Sequence, residues 1–141
     1  MAYNHAHEKP PGVAIRPYPY SEYQEDIHVI AERVRDTGRP FEKIHGLPRG
    51  GLVPAVHLSN LLKLDLCFDF INPDPVCWCR ESAAKILVVD DIAHTGQTLK
   101  RFHDAGFFIA TLFYDPENSI VRPDIYAREK DWRWIDYFWE V

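Results

Sequence analysis

At 141 residues and 46% hydrophobic composition, the chain has room for one domain with a real core and little else. Its formal charge of −5 excludes a sequence-independent grip on nucleic acid, which needs cations massed along one face. No apolar run reaches the roughly 20 residues a membrane helix requires, and no secretory leader is read at the start. The three cysteines, Cys67, Cys77 and Cys79, have neither zinc-type nor disulfide spacing, so a reducing, cytoplasmic setting with free thiols is expected.

Residues 1–19 hold four of the eleven prolines together with His5 and His7, and are expected to form a loosely ordered arm before a domain over 20–141. Ser21 and Gln24 have capping-box spacing, and Ile27, Ile30, Ala31 and Val34 recur at helical intervals. Gly38 and Pro40 stop that helix. Residues 43–46 read as a short strand, followed by the turn Leu47, Pro48, Arg49, Gly50, Gly51. Leu52, Ala55, Val56, Ser59 and Leu62 then line one side of a second helix, with Pro54 tolerated in its first turn.

Residues 64–71 read as a strand and 72–84 as an irregular stretch containing Pro73 and Pro75. Residues 85–89 form a continuous apolar strand of the kind buried on both faces of a parallel sheet. A polar turn over 90–98, a short helix over 99–105 and a buried strand over 107–114 follow, and 132–141 is an aromatic, extended closing segment. Strands alternating with helices predict a single α/β domain, Rossmann-like, with a mainly parallel sheet of about four to six strands flanked by helices. In such sheets ligands bind beyond the carboxyl ends of the strands, so the turns at 46–51 and 90–98 are predicted to form one site.

The second of these turns carries the chemistry. In residues 88–98, VVDDIAHTGQT, a hydrophobic strand ends in two acids and passes through a Thr- and Gly-containing turn into a helix. Converging backbone N–H groups and the hydroxyls of Thr95 and Thr98 suit a phosphate dianion, and Gly96 lets the backbone approach it. Asp90 and Asp91 suit sugar hydroxyls or hydrated Mg²⁺. Phosphate, hydroxyls and a divalent ion together describe a phosphorylated ribose. Residue by residue, solvated acids and a helix-capping Thr would explain the same positions; the ordered set of nine argues for the ligand.

This segment resembles the phosphoribosyl-pyrophosphate motif of the type I phosphoribosyltransferases. The resemblance implies that Asp90 and Asp91 face the ribose hydroxyls and magnesium, and that Ala93, His94, Thr95, Gly96, Gln97 and Thr98 wrap the 5-phosphate. Residues 46–55, GLPRGGLVPA, look like the family's pyrophosphate loop, which would give Arg49 and Gly50 to the leaving group and make the Pro48–Arg49 peptide cis. Residues 134–140, WIDYFWE, are similar to the closing segment of the xanthine–guanine and hypoxanthine branch. That similarity implies base binding at Trp134 and Ile135, and a metal-assisting role for Glu140 beside Asp91.

Where the purine branch has a carboxylate, this chain has His94, and where 6-oxopurine enzymes have a lysine, it has Asp115. An ionised Asp accepts hydrogen bonds only. Asp115 either reads an amino or amide group on the base or turns outward to cap the turn Pro116, Glu117, Asn118. The family's long closing loop is here the short stretch 72–84, so closure is incomplete or comes from a neighbouring subunit of a homo-oligomer, a dimer or tetramer. The resemblance implies transfer of ribose 5-phosphate from phosphoribosyl pyrophosphate to a purine-type base, with His94, Asp91 and Arg49 at the reacting centre. The alternative is a non-catalytic nucleotide-binding regulator of the same fold.

Overall fold

The computed structural model describes residues 9–67 and 83–140. In chain order its elements are β1 (Ile15–Tyr18), α1 (Tyr20–Asp36), β2 (Lys43–Gly46), α2 (Leu52–Leu62) and β3 (Asp65–Leu66). After the undescribed stretch come β4 (Ile86–Ala93), α3 (Gln97–Asp104), β5 (Phe108–Tyr114), β6 (Ile125–Glu129) and β7 (Trp134–Tyr137). Five strands form a parallel sheet in the order β3-β2-β4-β5-β6, and β1 and β7 form a separate parallel pair. The expected α/β architecture is the one observed.

The apolar strand reads as the sequence suggests. Leu87 and Val89 face one side of β4 and pack with Ile30, Val34, Ala55 and Leu58 of α1 and α2. Ile86 and Val88 face the other and pack with Leu99 and Phe102 of α3. From β2 the chain moves outward through α2 to β3; from β4 it moves the opposite way through α3 to β5. Right-handed crossovers in opposite directions put their helices on opposite faces, and the strand order reverses between β2 and β4. That reversal opens the crevice where α/β folds take ligands.

Four expectations need correction. The proline-rich arm is ordered over Ile15–Tyr18, because Tyr18 buries its ring against Phe113 at 4.8 Å and donates its hydroxyl to Asp26 at 2.6 Å. Pro17 fits there because β1 is an edge strand. The capping box at Ser21 does not form: extended Pro19 is the N-cap, and its carbonyl accepts from Tyr23 N–H at 3.1 Å. The β1–α1 joint is too short for Ser21 to lie outside the helix.

The polar turn expected over 90–98 is also shorter. β4 runs on through Ala93, paired to Tyr114 of β5, and leaves only 94–96 between strand and helix. Finally, β6 pairs with β5 where no strand was read, since its pattern of one buried and several half-buried residues carries no clear period. Of the strand expected over 64–71 the structure describes Asp65–Leu66; residues 68–71 and all but the last two of 72–84 lie outside the described residues.

Asp26 ties these layers together. Buried on α1, it accepts from Tyr18 of β1 and, at 2.8 Å, from the Arg128 guanidinium of β6. Asp26→Ala strands both donors and is expected to cost about 2–3 kcal/mol, read as a lower urea midpoint at unchanged slope. An unchanged midpoint would contradict this role.

Candidate functional site

The two turns predicted to converge do so at the strand-order reversal. Leu47 N–H donates to Val89 O at 2.9 Å, carrying the β2–β4 pairing one residue past the end of β2. The chain then folds back, with Gly51 N–H bonding Leu47 O at 2.8 Å. The Pro48–Arg49 peptide is cis. Two glycines make this packing possible: a Cβ on Gly50 would fall on the Asp91 carboxylate, and one on Gly51 would lie 2.5 Å from Val89 O. A side chain at 51 would push the loop off β4, and one at 50 would displace either the loop or the Asp91 carboxylate. Arg49 is exposed at the loop tip.

Beneath the loop, Asp90 and Asp91 turn back on the chain: Asp90 Oδ1 accepts from Asp91 N–H and Asp91 Oδ1 from Ile92 N–H, both at 2.9 Å. Burial, then the neighbouring charge of Asp91, pushes the Asp90 carboxyl well above its ordinary value. Buried Tyr137 lies close enough to feel both acids: burial, then Asp91, Asp90 and Glu140, hold its phenol well above its ordinary value. Among the described residues its hydroxyl has no hydrogen-bond partner, and neither does Trp139 Nε1. Two crowded acids, and a buried hydroxyl with no partner among the described residues, are groups that a polar, cation-bearing ligand could satisfy.

No cluster of three or more His, Cys, Asp or Glu that could hold a metal ion occurs among the described residues. Asp90 and Asp91 do fit Mg²⁺, which is commonly held by one or two carboxylates together with substrate phosphates and water.

The turn after β4 begins α3 at Gly96, which has φ 78°, and whose carbonyl accepts the first helical bond from Lys100 N–H at 2.9 Å. A Cβ on Gly96 would meet Ser119 Oγ at 2.7 Å, so this turn packs on the loop after β5. Ile120 N–H bonds Thr95 O at 3.0 Å across the same contact. Thr95, Gln97 and Thr98 are exposed on the helix-start side.

Asp115 is committed to the turn that follows it and to His94. It is buried, with Oδ1 accepting from Glu117 and Asn118 N–H at 3.1 and 3.3 Å, and Oδ2 from Asn118 Nδ2 and His94 Nδ1, both at 2.9 Å. Of the two readings of Asp115 the turn cap is the one observed, with the side chain buried rather than turned outward. Burial raises its carboxyl, but the hydrogen bonds from Asn118, His94 and the 117–118 amides outweigh that and hold it below the ordinary value.

In the closing segment, Trp134 N–H is committed to Ala14 O at 2.9 Å, and the Ile135 side chain is core. Tyr137, which sequence reasoning passed over, is the residue of that strand beside the acids. Alternation along WIDY was the signal for it, with Ile135 and Tyr137 facing inward together.

No family model matches the chain. Solved structures do. A purine phosphoribosyltransferase from Pyrococcus horikoshii is 25% identical, with a TM-score of 0.70 over 90% of this chain and 95% of that one. The xanthine-guanine-hypoxanthine phosphoribosyltransferase of Helicobacter pylori is 21% identical, with a TM-score of 0.71 over 91% and 95%. A hypothetical protein from Neisseria gonorrhoeae with bound ppGpp is 19% identical, with a TM-score of 0.69 over 92% and 90%.

The acid pair sets a stability prediction. A carboxyl whose folded pKa is raised costs stability once pH exceeds its unfolded value, about 3.9. The ligand-free chain is therefore expected to lose stability through Asp90 as pH rises above that value, and Asp90→Asn to melt higher than wild type at pH 8. A variant that melts at or below wild type there would contradict the burial argument.

Proposed function

Because the chain takes the fold of the type I phosphoribosyltransferases, we propose that it transfers ribose 5-phosphate from phosphoribosyl pyrophosphate to a purine-type base, releasing pyrophosphate. The observation that carries this reading is the approach of Gly50 to the Asp91 carboxylate, which sets the 47–51 loop against the acid pair, three residues ahead of the 94–98 turn in the chain. Each part suits one part of that substrate.

The amides of 95–98 and the hydroxyls of Thr95 and Thr98 would hold the 5-phosphate at the start of α3. Asp90 and Asp91 would take the ribose hydroxyls, and Asp91 with substrate oxygens would hold Mg²⁺. When bound, magnesium supplies positive charge against the leaving pyrophosphate. Arg49 and the loop amides stabilise the same growing charge, and the carboxylates face the cationic C1 that its departure leaves. The aromatic closing segment offers a flat base a stacking surface near Trp134, on the opposite side of the ribose. His94, at the turn between acids and phosphate, is the side chain positioned to take the proton of the attacking ring nitrogen.

Pyrophosphate release tests the assignment. It is expected only when both phosphoribosyl pyrophosphate and a purine-type base are present. Release without a base would make the chain a hydrolase. Binding with no release from any base would favour the second reading, a nucleotide-binding regulator, which the likeness to the ppGpp-bound protein supports.

Two substitutions check the parts. Thr95→Val is expected to weaken a nucleoside 5-phosphate by about 1–3 kcal/mol in calorimetry, the range of a charge-assisted hydrogen bond. Gly50→Ala forces either the loop or Asp91 to move and is expected to lower kcat/KM for phosphoribosyl pyrophosphate at least about tenfold, with overpacking costing about 1–3 kcal/mol. Full activity in the second variant would separate the loop from the acids.

A further inference from the structure

His94 and Asp115 are held side by side by the strands that carry them. Ala93 pairs with Tyr114 at the ends of β4 and β5, and Asp115 N–H bonds Ala93 O at 2.9 Å. The next residue on each strand is one of the pair. Ser119 N–H to Asp115 O at 2.9 Å and Ile120 N–H to Thr95 O at 3.0 Å then fasten the two following turns together. The two backbones cannot separate here without opening the sheet end.

The contact between them has a direction. Asp115 is 5% exposed at its side chain, fixed by three donors from 117–118, and kept ionised by them; His94 is 52% exposed. An ionised carboxylate only accepts, so the hydrogen in the 2.9 Å contact belongs to His94 Nδ1. In the neutral ring the other nitrogen, Nε2, is then bare and accepting. It lies on the ring edge away from Asp115, and no hydrogen bond engages it among the described residues.

We propose that Asp115 is a positioning residue that locks His94 in its Nδ1–H form, so that Nε2 accepts the ring N–H proton of the incoming base. This rests on the transfer reading above. The C1–O bond to pyrophosphate breaks, and pyrophosphate keeps that electron pair. The ring nitrogen forms its bond to C1 with its own lone pair. Its N–H proton passes to Nε2, the N–H electrons return to the ring, and the imidazolium forms an ion pair with Asp115. Half-exposed, it hands the proton to water and the dyad is restored. The substrate class follows: a nucleobase or azole whose attacking nitrogen, or a nitrogen conjugated with it, bears a hydrogen that must leave.

Nitrogen-15 histidine NMR on the full chain, with His94 assigned by its loss in His94→Gln, reads the tautomer without any assay. At a pH where the ring is neutral, wild type is expected to carry the proton on Nδ1. In Asp115→Asn the carboxamide oxygen can still serve the 117–118 amides, while its NH₂ faces the ring, so the proton is expected on Nε2. That variant is also expected to lose about 100-fold or more in kcat, with KM for phosphoribosyl pyrophosphate within about twofold.

A proton on Nε2 in wild type overturns the proposal even if the variant fails to fold. So does an Asp115→Asn enzyme with wild-type kcat. A wild type with the Nδ1–H form that transfers to no base overturns the transfer reading, and with it the proton-accepting role, while the tautomer lock still stands.

Discussion

The site depends on how closely one loop can approach one strand. β2 and β4 are neighbours whose crossovers leave in opposite directions, and the chain after β2 has to double back directly over the end of β4. It can do so because neither Gly50 nor Gly51 has a side chain; their missing Cβ atoms are the space that Asp91 and Val89 O occupy. From that approach follows the rest of the arrangement. An exposed arginine stands at the tip of the loop whose next residue meets Asp91, and the turn into α3 follows the acids three residues later. Each piece alone is an ordinary strand-to-helix connection, and only their common position makes a site.

The approach also concentrates unfavourable features. Two adjacent carboxylates are partly buried, one of them pushed toward its protonated form, and a tyrosine hydroxyl beside them is buried with no partner among the described residues. A folded domain has only a small surplus of stability, so such features persist where a ligand offsets them. Sugar hydroxyls, phosphate oxygens and a divalent cation would offset all three together. Asp26 is the contrast: its charge is met by Tyr18 and Arg128, and it serves the fold alone.

Much of this was legible in the sequence because local pattern and tertiary position agree. The continuous apolar run of β4 is of the kind buried on both faces of a parallel sheet, and VVDDIAHTGQT carries strand, acids, turn and helix start in the order in which they occur in the fold. What escaped was set by partners distant in the chain. Ile15–Tyr18 is a strand because Trp134–Tyr137 lies beside it, and Pro17 with the prolines flanking the strand hid that. β6 forms on the edge that β5 offers, with little pattern of its own. Asp115 could have read a base or capped a turn on spacing alone; the contact with His94, 21 residues earlier, decides its role. Tyr137 was lost among aromatic neighbours, although alternation along WIDY set it on the inward face with Ile135.

The central claim is that the 47–51 loop, the acid pair and the 94–98 turn grip one molecule at both its ends. Calorimetric titration in magnesium with phosphoribosyl pyrophosphate, and separately with ribose 5-phosphate and with pyrophosphate, tests this directly. The account predicts that the joined molecule binds at least about tenfold tighter than either half, since the second contact is made within an already bound ligand. Phosphoribosyl pyrophosphate binding no tighter than ribose 5-phosphate would contradict it, because the loop would then take no part in holding the leaving group.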